Sequence, residues 1–253
     1  MRACAAQAER LMAWAAPWPE RAWASVGADG LGHLLAQQLL AAGERVADVQ
    51  PKLSARVRLL AAGATSKNDP NDARSVAVAA LRSPSARAAA ADDHAAVLRV
   101  WSKRHRDLGR LRTQLVCRLH AVLCELLPGG VATQMTAGQA AQLLGPVTTS
   151  GAVAAARREL AAQFTAGLRG TGAQMRDTNK KLTVAVRAAG TSLTGLFGVG
   201  PVIAATVIGD VRDVSRFPGR DHFAAWNGTA PAGVSSGPRK TCPSSRSWLA
   251  VRP

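Results

Sequence analysis

"RAWASVGADGLGHLLAQQLLAAGERVADVQP", residues 21–51, reads as strand, helix and strand in succession. Residues 21–27 are short, apolar and closed by a glycine, as a buried strand is. Residues 30–44 place Leu31, Leu34, Leu35 and Leu39 at helical spacing and stop at Gly43. Residues 45–51 form a second short strand. A helical crossover between two neighbouring strands lets them pair in parallel, so a parallel sheet is expected near the start of the chain.

On the N-terminal side, residues 3–16 are an Ala-rich helix that "PWPE" at 17–20 interrupts. On the C-terminal side a basic helix and loop lead into "SKNDPNDARSVAVAALRS", residues 66–83. Asp69 stands where an N-cap belongs, Pro70 takes the first helical position and Asp72 falls in the first turn, where a carboxylate meets the helix dipole. Residues three apart also share a helix face, so the same two carboxylates can converge on one divalent ion. Local spacing leaves both roles open. Residues 83–93 are a polar, small-residue link that closes the first domain.

Residues 94–126 form one long amphipathic helix, with Leu98, Trp101, Leu108, Leu111, Leu115, Leu119, Val122 and Leu126 at three- and four-residue spacings. Arg99, Lys103, Arg104, Arg106, Arg110 and Arg112 surround that stripe and should attract phosphates. Residues 128–130, "PGG", end the helix. Residues 137–144 and 150–189 are further helices, the second folding back on the long one as an antiparallel coiled pair. "GVGPVIAATVI", from Gly198, resembles a helix-hairpin-helix turn, in which Gly198 and Gly200 let backbone N–H groups at a helix N-terminus meet a phosphate. A short helix around Phe223 to Trp226 is followed by a Gly/Pro/Ser loop holding Ser235 and Ser236, which by themselves read as turn residues.

Charge narrows the function. The 253 residues hold 32 Lys and Arg against 16 Asp and Glu, a formal charge of +16, which calls for a polyanionic partner, nucleic acid first. No apolar run reaches the roughly 18–20 residues of a membrane-spanning helix, and no signal peptide is expected, so the expected location is cytoplasmic. Cys4, Cys117, Cys124 and Cys242 make no CxxC pair and the five histidines show no ligand spacing, which argues against a zinc site or a disulfide framework.

Four stretches taken together carry a family resemblance: "WASVGADGLGHLLAQQLLAAGERV", "KNDPNDARSVAVAALR", "GVGPVIAATVIGDVRDVSRF" and "FAAWNGTAPAGVSSG". In this order they resemble the DEDD-type transposases of bacterial insertion sequences, the "IS one-ten" group that includes the Piv invertase, over about residues 3–240. The resemblance implies a RuvC-like, ribonuclease-H-type domain whose Asp, Glu and two late Asp residues bind Mg²⁺. It also implies a helical coiled region and a C-terminal domain with a serine nucleophile. The late pair falls on Asp69 and Asp72, which tilts their reading towards metal ligation. The serine falls on Ser236 or, second, Ser235.

Where the family has "WAVEG" this chain has "WASVG", so Val26 stands at the glutamate position. The family's first Asp-bearing strand and its basic C-terminal segment have no counterpart, and a truncated, frame-shifted copy is the expectation. The fold expected is therefore α/β plus α: a partial RuvC-like domain at 1–92, a basic coiled region at 93–190, a C-terminal domain with the hairpin-like motif at 191–240 and an atypical tail at 241–253. The resemblance further implies DNA as partner, an element-encoded guide RNA in some members, a homo-oligomer, and DNA strand cleavage and exchange that this copy performs poorly. A non-catalytic nucleic-acid-binding remnant is the first alternative and a RuvC-type junction nuclease the second.

Overall fold

A computed structural model describes residues 4–60, 68–83, 87–230, 234–236 and 239–241. The chain divides into two compact units, Met1–Ala96 and Val97–Pro253.

In the first unit the elements run α1 (Gln7–Ala15), β1 (Trp23–Val26), α2 (His33–Ala41), β2 (Val46–Val49), α3 (Pro51–Leu60), α4 (Asp69–Arg82) and β3 (Arg87–Ala88). As expected, β1 and β2 pair in parallel, with Trp23 opposite Val46 and Ser25 opposite Asp48. Ala28, Ala36, Leu39 and Val46 make the core on the α2 side, with Met12, Trp23 and Leu35 packed against it. Leu31 and Leu34 are exposed instead: Leu31 precedes α2, which begins only at His33, and Leu34 lies off the face that buries Ala36 and Leu39. Val49, three residues beyond Val46 and so on the opposite face of the strand, is also buried, and α4 lies against β1 and β2.

Residues 83–93 are more than a link. Arg87 and Ala88 form β3, antiparallel to β2 and paired with Asp48 and Ala47. The Gln37 side-chain amide donates to the Ala90 carbonyl, and its carbonyl accepts from the Asp92 N–H. A two-residue strand is too short to show any periodicity, so local pattern leaves this third strand unmarked.

A carboxylate clasp closes the other edge of this unit. Glu44 accepts from both Arg21 guanidinium branches and, at 2.8 Å, from the Trp23 indole N–H. The Arg21 hydrogen bond first, and the Trp23 bond second, hold its carboxyl below the ordinary range.

The second unit comprises α5 (His94–Cys124), α6 (Ala137–Leu144), α7 (Ala152–Ala188), a 3-10 turn at Leu193–Gly195, α8 (Pro201–Val211), a second such turn at Val214–Arg216, α9 (Arg220–Asn227) and a hairpin of β4 (Val234–Ser236) and β5 (Arg239–Thr241). The expected antiparallel pairing of α5 and α7 is present. Leu98 packs with Leu182 and Val186 at one end, and Leu119 and Leu123 with Ala161 and Leu168 at the other. Between them Arg104 meets Gln174, and Leu115 lies 3.6 Å from where a Cβ on Gly167 would sit. Leu111, expected on the packed face, is exposed, while Leu123 and Ser102 are buried.

Thr165, Thr171 and Thr178 are buried along α7 and satisfy themselves by donating to the carbonyls of Ala161, Gly167 and Gln174 one turn earlier. That self-satisfaction lets small polar side chains line the pairing seam without an unpaired hydroxyl. α6 opens with a reciprocal cap: the Gln139 N–H donates to Thr136 Oγ1 and the Thr136 N–H to Gln139 Oε1.

Candidate carboxylate site and basic helical cleft

Asn68, not Asp69, caps α4: its backbone is extended and its Oδ1 accepts the Asn71 N–H at 2.9 Å. Asp69 and Pro70 are therefore the first two helical residues, one position later than the spacing suggested. The shift follows from side-chain reach, since Asn caps as well as Asp and its oxygen lies next to the N–H three residues on. Asp69 is exposed on the first turn. Asp72, one turn further, accepts from Arg58 Nη1 of α3 at 2.5 Å.

Whether these residues suit the Mg²⁺ that the resemblance implies can be tested on the donor set. Asp72 already has a guanidinium as its counter-charge, and among the described residues no three His, Cys, Asp or Glu side chains gather as a metal site. Val26, where the resemblance implies a glutamate, offers no donor at all. Asp48, on the neighbouring strand, spends its Oδ1 on the Ala28 N–H at 3.0 Å. A two-ion centre with four carboxylates does not fit these residues, and no chemical step is assigned to one.

Ser235 and Ser236 lie on β4 of the hairpin, with backbone register to Lys240 and Arg239. They were expected in a loop. The described strand ends at Ser236, and residues 237–238 lie outside the described residues. The residues 231–233 that precede this strand lie outside the described residues, as does the tail from 242.

Gly198 has φ of +82°, a conformation that favours glycine. Gly200 is the N-cap of α8 with extended backbone and no side chain to cap it, and Pro201 follows inside the helix. Before this turn stands only the 3-10 turn Leu193–Gly195. What the structure shows here is a glycine turn feeding one helix.

The six basic residues of α5 fare differently from one another. Arg99 and Arg106 face Asp210 of α8, at 4.0 and 3.4 Å. Arg104 donates to Gln174 at 2.6 Å, and Arg110 to Asp107 at 3.4 Å on its own helix. Lys103 is exposed. Arg112 lines two cavities, one of about 400 Å³ shared with Arg169 and Arg176 of α7, and one of about 530 Å³ beside Cys117 and Met135. The two α7 arginines escaped the sequence reading, although their seven-residue separation, which returns to one helix face, was the available signal.

Arg216 is a second unanticipated feature. Its guanidinium lies 4.4 Å from the Phe217 ring centre and 4.8 Å from that of Trp226, and Phe217 meets Phe223 edge-on at 5.1 Å. Next to it, the Ser215 hydroxyl first and its N–H second donate to Asp213 and hold that carboxyl below its ordinary range. The cluster packs α9 back onto the turn after α8.

No helix among the described residues is long and apolar enough to cross a membrane. In comparison with known proteins, residues 4–128 match a family model described as "Transposase", of the DEDD type of the IS110 group. Residues 190–249 match a second, described as "Transposase IS116/IS110/IS902 family". No curated protein matches the chain. The first match takes in the strand–helix–strand unit and the Asp69–Asp72 turn, and the second takes in the glycine turn and the Ser235–Ser236 strand, in the order that the sequence motifs have. The chain belongs to the IS110-type transposases.

Proposed function

We propose that this transposase acts on the DNA of an insertion sequence by strand cleavage and exchange, through a partial RuvC-like N-terminal domain and a C-terminal domain with a helix-hairpin-helix-like turn, and that this copy is catalytically impaired. The observation that carries the reading is the ordered pair of family matches, one over the carboxylate turn and the other over the glycine turn and the serines. In this reading Ser236 Oγ forms a bond to the phosphorus of a phosphodiester, the bond to one bridging oxygen breaks, and the leaving oxygen gains a proton as the serine loses one. Ser235 is the second choice. Impairment rests on Val26, an apolar side chain where the family has a carboxylate, and on the ion pair that occupies Asp72.

DNA is the proposed partner, with an element-encoded guide RNA and self-assembly as further features of the family reading. Mg²⁺, if held, is held weakly by Asp69 and Asp72 together with substrate phosphates, since a Mg²⁺ ion keeps several waters and needs only one or two carboxylates.

A strand-transfer assay on element-end DNA in Mg²⁺ or Mn²⁺ tests the reading. The expected result is binding without exchange by the natural chain, and exchange regained in a Val26→Glu chain, then lost again with Ser236→Ala. Full exchange by the natural chain would refute impairment. Regained exchange that survives loss of both serines would remove the serine from the mechanism. The second reading, a nucleic-acid-binding protein that cuts nothing, is favoured by the charge of +16 and by the arginine-lined cleft, and it predicts binding with no regain of exchange.

A further inference from the structure

Three guanidiniums from two helices line one cavity in the second unit. Arg112 comes from α5, Arg169 and Arg176 come from α7, and the cavity of about 400 Å³ is completed by Thr136, Leu168 and Gly172. Among the described residues no acidic side chain lines it. Among the described residues none of the three arginines is in an ion pair, in contrast to Arg99, Arg106 and Arg110 further back on α5.

The packing places these charges together by design of the local sequence. Leu115 packs within ordinary contact distance of Gly167 on the α5–α7 seam, and Arg112, one turn before it, lines the cavity with Arg169. A Cβ on Gly172 would lie 3.6 Å from Arg176 Nη1, so the Arg176 guanidinium folds over the glycine towards the cavity. The third wall is fixed by the Thr136–Gln139 capping box and by His120, whose Nε2 is 3.2 Å from the Val131 carbonyl.

Like charges in one cleft repel, and the arrangement is relieved by an anion. Arginine's planar fork suits phosphate oxygens in particular. Extent decides between a small anion and a polymer. The backbones of Arg169 and Arg176 are about 10 Å apart along α7 at helical rise, and Arg112 faces that stretch from α5 within a chain of charge +16, which suits a polyanion over one small anion. A nucleic-acid strand, with a charge about every 3.4 Å, meets that stretch throughout.

We infer that the Arg112–Arg169–Arg176 cleft is the seat of a phosphodiester backbone, and that the rest of the basic face of α5 contributes less because Asp210, Gln174 and Asp107 already engage it. The inference rests on the nucleic-acid reading above and says where on the chain that reading is enacted. DNA and RNA share the chemistry, and the two arms of the test separate them.

The test measures the binding of the full chain to a DNA duplex and to a structured RNA by fluorescence anisotropy from low to moderate salt. The Arg112→Gln, Arg169→Gln, Arg176→Gln triple variant is compared with the natural chain and with an Arg10→Gln, Arg56→Gln, Arg82→Gln triple that removes the same charge from exposed positions of the first unit. The expected result is a salt slope shallower by about 1 per cleft arginine removed, in the DNA arm, the RNA arm or both, with the first-unit triple changing it far less. The arm with the larger loss identifies the strand that sits in the cleft. Circular dichroism confirms that the triple variant keeps its helices, and the three single variants, each with a slope lower by about 1, give the same answer where it does not. An unchanged slope in the cleft triple, while the natural chain binds, overturns the inference and leaves the nucleic-acid reading standing. Equal loss in both triples overturns it in favour of diffuse charge. A natural chain that binds neither DNA nor RNA overturns the inference and the nucleic-acid reading together.

Discussion

Gly209 of α8 rests directly on the backbone of Arg99 in α5: a Cβ at Gly209 would stand 2.7 Å from the Arg99 nitrogen and 2.8 Å from its Cα. Backbone atoms cannot swing aside as a side-chain tip can, so the two helices meet where only hydrogen fits. This close crossing brings Asp210 against Arg99 and Arg106 and buries Ala204 and Ala205 against Leu98 and Leu182. The crossing therefore fixes the glycine turn at Gly198 to the long helical pair.

Gly209→Ala should force α8 away from α5 and destabilise the second unit by about 1–3 kcal/mol, as overpacking does. Gly170→Ala is the internal contrast: nothing lies within 4 Å of its ideal Cβ on α7, and removing a mid-helix glycine should stabilise by about 0.5–1 kcal/mol. Chemical denaturation of both variants checks the pair. A tolerated alanine at 209 would show that the crossing is loose.

The cap of α4 can be assigned by two substitutions. Asn68→Ala removes the acceptor for the Asn71 N–H and should cost about 1 kcal/mol. Asp69→Ala loses only a favourable interaction with the helix dipole and should cost about 0.3–1 kcal/mol, shrinking as salt is added. A larger loss at Asp69 than at Asn68 in thermal melts would return the cap to Asp69.

Divalent-ion binding should be weak and should depend on Asp72. Isothermal titration with Mn²⁺ is expected to give a low-affinity signal that Asp72→Asn abolishes, and that Arg58→Gln strengthens by releasing the carboxylate from its ion pair. A heat signal indifferent to both substitutions would dissociate these residues from any metal role.

The Glu44 carboxyl sets a pH signature for the first unit. Its folded-state pKa is depressed below the ordinary 4.5, first by Arg21 and then by Trp23. Its contribution to stability is thus present in full above that ordinary value and is lost as pH falls through the lower, folded-state value. Thermal melts of the natural chain should fall, as pH drops below the ordinary 4.5, more steeply than those of Glu44→Gln. Parallel slopes in the two proteins would discount the clasp.

Much of this architecture is written in local pattern. Hydrophobic spacing of 3.6 is enough to mark α5, α6 and α7, because each helix buries one stripe and exposes the rest. The strand, helix and strand of residues 21–51 likewise announce the parallel pair, and four motifs in order announce the family.

The tertiary structure decided what spacing leaves open. The short strand Arg87–Ala88 exists because β2 supplies its pairing and Gln37 anchors the residues just after it, not because its own residues favour it. Asp72 can serve a metal or a cation, and Arg58, fourteen residues earlier, settles its neighbour. The basic residues of α5 look equivalent along the helix, yet Asp210, Gln174 and Asp107 engage four of the six, while α7 brings two further arginines beside Arg112. A single helix fixes which residues share its face. Which of their charges find a partner depends on side chains far away in the chain, and only packing brings those into reach.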